Sequence, residues 1–187
     1  MQIKIVGISG SLRKASYNRM LLQACAELAP DGMTIDVHTI EGVPLFNEDD
    51  EPSGDSEAVA RLKAAIARAD GLLVVTPEYN GSVPGVLKNT VDWLSRSSGG
   101  TTVLKGKPAG IVGTSPGILG TVRAQAHLRA ALEHNAAPVM PVPQVFVGGA
   151  REKFDAEGRL VDEKTRMFLA KYLEAFAEWV RRNGVTP

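Results

Sequence analysis

Apolar residues along this chain follow two alternating rhythms. Ile3 to Ser9 (IKIVGIS) and Gly71 to Thr76 (GLLVVT) are short, almost unbroken apolar runs. Such runs predict strands buried on both faces. Thr34 to Ile40 and Ala109 to Thr114 supply a second and a fourth strand. A fifth is predicted within Pro138 to Val147, where three prolines obscure its start. Between these runs the period lengthens to that of a helix. Leu21, Cys25 and Leu28 mark Tyr17 to Leu28, and Val59, Leu62 and Ile66 mark Ser56 to Ala69. Leu87, Val91 and Leu94 mark a helix opened by Pro84, where a missing N–H costs nothing. Thr121 to Asn135 is the fourth helix. Glu163 to Arg182 carries Leu169, Leu173, Phe176 and Val180 as the last. Glu41 to Gly54 reads as a loop and Phe154 to Arg159 as a turn.

Five strands alternating with five helices predict one α/β domain over residues 1–187, with a parallel sheet covered on both sides. Ligands of such sheets sit beyond the carboxyl ends of the strands. The loops after strands 1, 3 and 4 are therefore the candidate site.

The first loop, Gly10 to Asn18 (GSLRKASYN), offers the hydroxyls of Ser11 and Ser16, the Arg13 guanidinium and the Asn18 amide beside a helix N-terminus. Those are the parts of an anion site. They also compose an ordinary helix cap, with Ser16 at the N-cap and Arg13 solvated. The loop has no G-x-x-x-x-G-K-[ST] and no G-x-G-x-x-G, which argues against a nucleoside-triphosphate or a tightly held dinucleotide site. The second loop, Thr76 to Pro84 (TPEYNGSVP), is stiffened by two prolines. A flat heterocycle could lie against it, bonded by Glu78, Asn80 and Ser82. The third, Thr114 to Gly120 (TSPGILG), has two glycines and a small hydroxyl that permit close backbone approach.

Charge and composition narrow the function classes. Lys plus Arg equal Asp plus Glu at 21 each, so no global field attracts nucleic acid or an anionic membrane. No run approaches the roughly 20 apolar residues of a membrane span, and the cytoplasm is the expected location. Cys25 is alone and falls on an apolar helix stripe, which predicts a buried core thiol. His127 and His134, seven positions apart on the fourth helix, have no Cys or acidic partner at ligand spacing, His38 reads as a half-exposed strand residue, and no metal is expected. Trp93, Trp179 and Asp92 read as packing or hydrogen-bonding residues. Glu48 to Glu51 (EDDE) reads as a solvated run.

Taken together, GSLRKASYN at 10–18 and PEYNGSVPGVLKNTVDWLSR at 77–96 resemble the NADPH-dependent FMN reductase family. PLFNEDDE at 44–51 and FDAEGRLVDE at 154–163 are also similar to that family, so the resemblance spans nearly the whole chain. It implies a flavodoxin-like fold with strand order 2-1-3-4-5. It further implies FMN as cofactor and NADPH, or NADH, as electron donor. By the resemblance, Ser11, Arg13, Ser16 and Asn18 bind the FMN phosphate. Pro77, Glu78, Tyr79, Asn80 and Ser82 line the ring and ribityl chain, and Ser115 and Gly117 approach from the third loop. Pro116 and the Gly120-Thr121 pair depart from the family's pattern there. No protein group need act as catalyst, because the flavin carries the chemistry. The implied reaction is ping-pong hydride transfer from NAD(P)H to quinones, azo compounds, metal oxyanions or free flavin, by a homodimer or homotetramer. The alternative is a flavodoxin-type electron carrier without NAD(P)H activity. Balanced charge, a third loop without aromatics, and Arg13 at the phosphate favour the reductase.

Overall fold

Unbroken apolar runs need cover on both faces, and the chain supplies it with helices. A computed structural model describes residues 2–97 and 101–184. Strands β1 (Ile3–Ser9), β2 (Met33–His38), β3 (Gly71–Val75), β4 (Ala109–Thr114) and β5 (Val145–Val147) pair in parallel in the order 2-1-3-4-5. Helices α1 (Tyr17–Glu27), α2 (Glu57–Arg68), α3 (Gly85–Ser95), α4 (Val122–His134), α5 (Ala150–Lys153) and α6 (Glu163–Asn183) connect or follow them. This is the expected doubly wound topology. None of the described helices is long and apolar enough to cross a membrane.

The period of two along each strand divides the core. Ile3, Ile5, Leu73, Val75 and Val112 face α1 and α6, packing on Leu21, Leu22, Cys25, Leu169, Tyr172 and Phe176. Val6, Ile8, Leu72, Val74 and Ile111 face α2, α3 and α4, packing on Leu62, Ile66, Leu87, Leu94, Leu128 and Leu132. Most of these side chains are fully buried, and each contributes about 1.5–3 kcal/mol of transfer free energy. Cys25 lies among them, and burial pushes its thiol up to about 12, as a core residue rather than a nucleophile.

One glycine fixes the sheet's spacing beside the third loop. A Cβ on Gly113 would stand 2.1 Å from Thr121 Oγ1 and 2.2 Å from the Thr76 carbonyl oxygen. Any side chain there would push α4 away from the end of β4.

Several boundaries differ from the sequence reading. β2 starts and ends slightly earlier than Thr34–Ile40. β5 keeps only three residues; upstream, Val139 bridges Ala109 alone, because proline nitrogens cannot donate to a ladder. The four-residue α5 was not anticipated. Glu48–Ser53 is a 3-10 helix capped by Asn47 within the expected loop; Glu48, Asp49 and Asp50 are exposed, as a solvated run requires, and Glu51 is half-buried. Its Glu51 carboxylate pairs with Arg96 through Nε and Nη2, and Glu48 lies 3.4 Å from the same guanidinium. The Arg96 hydrogen bond holds the Glu51 carboxyl below the usual range. Trp93 is buried and donates from Nε1 to the Pro44 carbonyl at 2.9 Å, so the preceding segment is stitched onto α3.

Candidate functional site

The loops that follow β1, β3 and β4 converge on one cavity of about 420 Å³. This is within the range of small-ligand sites. Its lining joins Arg13, Ser16, Tyr17 and Asn18 from the first loop with Pro77, Glu78 and Tyr79 from the second. Thr114, Ser115 and Pro116 come from the third, and Arg151 from α5. A larger cleft of about 590 Å³ lies elsewhere, between the 3-10 helix and the end of α3. It contains none of the three loops.

The first loop is built around the start of α1. Ser16 is the N-cap, and its hydroxyl accepts from Asn18 N at 3.2 Å, which satisfies one of the helix's orphan donors. Asn18 performs a second task. Its Nδ2 donates to the Thr114 carbonyl and its Oδ1 accepts from Thr114 N, both at 2.9 Å. This two-bond clasp holds the helix start against the end of β4. The Arg13 guanidinium donates to the Ala15 carbonyl and lies 5.7 Å from the Tyr17 ring centroid. Tyr17 in turn packs on Phe154 at 5.7 Å.

In the second loop, Glu78 acts as a cap for a distant helix. Its Oε2 accepts from Arg123 N at 2.9 Å and Ala124 N at 3.1 Å, while Oε1 lies 3.3 Å from Arg123 Nη1. Thr121, at the N-cap position of α4, makes no side-chain cap of its own, so Glu78 fills that role from 45 residues away. Tyr79 and Ser82 exchange backbone hydrogen bonds across Asn80 and Gly81, whose φ angles are +52° and +71°. Asn-Gly with both φ positive is the preferred two-residue hairpin turn. Ser82 Oγ lies 2.9 Å from His127 Nδ1 on α4.

The third loop is closed by Ser115 Oγ, which donates to the Gly120 carbonyl at 2.7 Å. Three backbone bonds of 3.1–3.2 Å lace it to the turn after β5: Ser115 N to Val147 O, Gly149 N to Gly117 O, and Ala150 N to Ser115 O. Thr114 lines this cavity, and its buried Oγ1 has no hydrogen-bond partner among the described residues. A buried hydroxyl left unpaired costs about 1–3 kcal/mol, which a polar ligand atom would recover.

Seven of the eleven residues expected at the site line the cavity: Arg13, Ser16, Asn18, Pro77, Glu78, Tyr79 and Ser115. Ser11, Asn80, Ser82 and Gly117 stand outside that lining. Ser11 borders a smaller cavity of about 160 Å³ with Ser9, Arg19 and His38. Tyr17, Thr114, Pro116 and Arg151 belong to the lining but were not singled out from sequence. Arg151 had no local motif to mark it.

Residues 3–152 match the NADPH-dependent FMN reductase family. The chain is 47% identical over 180 residues to an NAD(P)H-dependent FMN reductase of Pseudomonas aeruginosa, covering 96% of each. It is 44% identical to a 2-hydroxy-1,4-benzoquinone reductase of Burkholderia sp, covering 99% of this chain and 100% of the relative. Among solved structures, the flavoenzyme NAD(P)H:(acceptor) oxidoreductase of Paracoccus denitrificans superposes with a TM-score of 0.89 at 37% identity. That match covers 98% of this chain and 100% of the other.

Proposed function

The chain belongs to the NADPH-dependent FMN reductase family, and from that premise we propose that it binds FMN in the three-loop cavity and reduces small oxidants with NAD(P)H. The observation that carries this reading is the convergence of Arg13, Ser16, Pro77, Tyr79 and Thr114 on a single cavity beyond the carboxyl ends of the strands. FMN suits this lining: a guanidinium and a helix start meet its phosphate, and an unpaired buried hydroxyl awaits a polar atom.

Bound here, FMN would supply the hydride-transfer and electron-transfer chemistry that links NAD(P)H to an acceptor. The chain's own residues bind and orient. Arg13 and Ser16 anchor the phosphate, with Asn18 holding the helix start in place through Thr114. Pro77 and the α4-capping Glu78 keep the Tyr79 edge rigid, while Ser115 borders the cavity from the third loop. Ser11, Asn80, Ser82 and Gly117 stand behind this lining and act on it through the loops that carry them. Quinones are the preferred acceptor class, since the Burkholderia relative carries that activity in its name. The assembly is a homodimer or homotetramer. Ile118, 93% exposed, and its neighbour Leu119 give the third loop an apolar tip that a second copy would cover.

Anaerobic mixing with NADPH tests the reading. The yellow flavin absorbance should bleach within the turnover time and return on addition of a quinone, and steady-state plots should show parallel lines. Colour that persists with NADPH, yet bleaches with a partner reductase, would instead make the protein an electron carrier.

A further inference from the structure

A phosphate monoester carries close to two negative charges at neutral pH, and the sequence motif supplies one guanidinium for it. The folded chain brings a second. Arg151 lines the same cavity as Arg13 and Ser16, although 138 positions separate the two arginines. The segment that carries it is held at both ends. Ala150 N and Gly149 N donate to Ser115 and Gly117 of the third loop, and Lys153 Nζ donates to Asp162 Oδ2 at 2.9 Å and Thr165 Oγ1 at 2.8 Å. Arg151 itself has no ion-pair partner among the described residues, and neither has Arg13. The only carboxylate in the lining, Glu78, is occupied by two α4 amides and Arg123. The cavity is therefore a well of uncompensated positive charge, and its two arginines come from opposite ends of the family segment.

We propose that Arg151 is a specificity-determining residue that closes on the phosphate of FMN opposite Arg13, so that the site selects 5′-phosphorylated flavin over riboflavin. This rests on the cavity being the FMN site. Guanidinium is suited to the task, since its planar fork meets two phosphate oxygens at once. Its exposure leaves it free to reach the ligand, while the pinned backbone of α5 limits how far it must travel.

Titration of the full chain, freed of flavin, with FMN and with riboflavin tests the assignment by flavin fluorescence. Arg151→Gln should weaken FMN binding roughly ten- to a hundredfold and leave riboflavin binding unchanged. Its thermal midpoint should match wild type. Arg13→Gln serves as the comparison and should show the same selective loss. If wild type itself fails to prefer FMN to riboflavin, the reading of the cavity as a phosphate site falls. If wild type and Arg151→Gln discriminate equally while Arg13→Gln does not, the role of Arg151 alone is overturned. A variant that keeps its FMN affinity but binds NADPH more weakly also overturns it, and gives Arg151 to the reductant.

Discussion

Glu78 shows how a single side chain joins the lining of a cavity to the stability of a distant helix. Its carboxylate is only 12% exposed and accepts from two amides of a helix whose own N-cap residue contributes no side-chain bond. Helix caps are worth about 0.5–2 kcal/mol, and a charged acceptor at the positive end of a helix lies toward the upper part of that range. Glu78→Ala is therefore expected to lower unfolding stability by about 1–2 kcal/mol in urea, with FMN affinity falling as well because the Tyr79 edge loses its anchor. An unchanged denaturation midpoint would show that water caps α4 equally well. The sequence placed Glu78 at the site through its motif, but not its bond to α4, because nothing local connects residues 78 and 123. The Asn80-Gly81 pair is itself a turn signal, and the positive φ angles of both residues follow from it.

At the level of elements, legibility followed burial. β3 was plain in sequence because all five of its residues are buried, and α6 was plain because its apolar stripe, Leu169 to Val180, repeats over about three turns. β5 was not, since prolines surround it and only three residues enter the ladder. The short α5 and the 3-10 helix depend on capping and ion pairs rather than on apolar period, which leaves little for a pattern to reveal. The start of α6 has a distinct pH signature. Asp162 caps it, held by the Thr165 hydroxyl, Lys153 Nζ and Thr165 N, and these bonds lower its pKa from 3.8 to about 2. A depressed folded-state value means that the contribution is complete above about pH 4 and is lost as pH falls toward 2. Asp162→Asn keeps a capping oxygen but not the pair with Lys153. It should cost about 0.5–1 kcal/mol at pH 7, and the difference from wild type should close by pH 2. A gap that stays constant over that range would exclude the ionic contribution.

For the molecule as a whole, the strand order came from the family resemblance, while a parallel sheet with ligand loops at its carboxyl ends was legible in the alternation of strands and helices. The second arginine was not, since only the return of the chain after β5 brings residue 151 to the cavity. Ile118 and Leu119 stand on the loop that borders that cavity, with Phe146 beside its base. If this face joins two copies, Ile118→Asp should shift sedimentation toward the monomer and loosen FMN binding along with it. A wild-type protein that sediments as a monomer at micromolar concentration would remove that arrangement.

The clasp between Asn18 and Thr114, and the lining that runs from residue 13 to residue 151, also fix when the pocket comes into being. A growing polypeptide on the ribosome has its first loop early but lacks the opposite wall until most of the chain has emerged. With FMN bound in this cavity as proposed, cofactor loading is a late event in biogenesis, and fragments ending before α5 should leave the ribosome colourless.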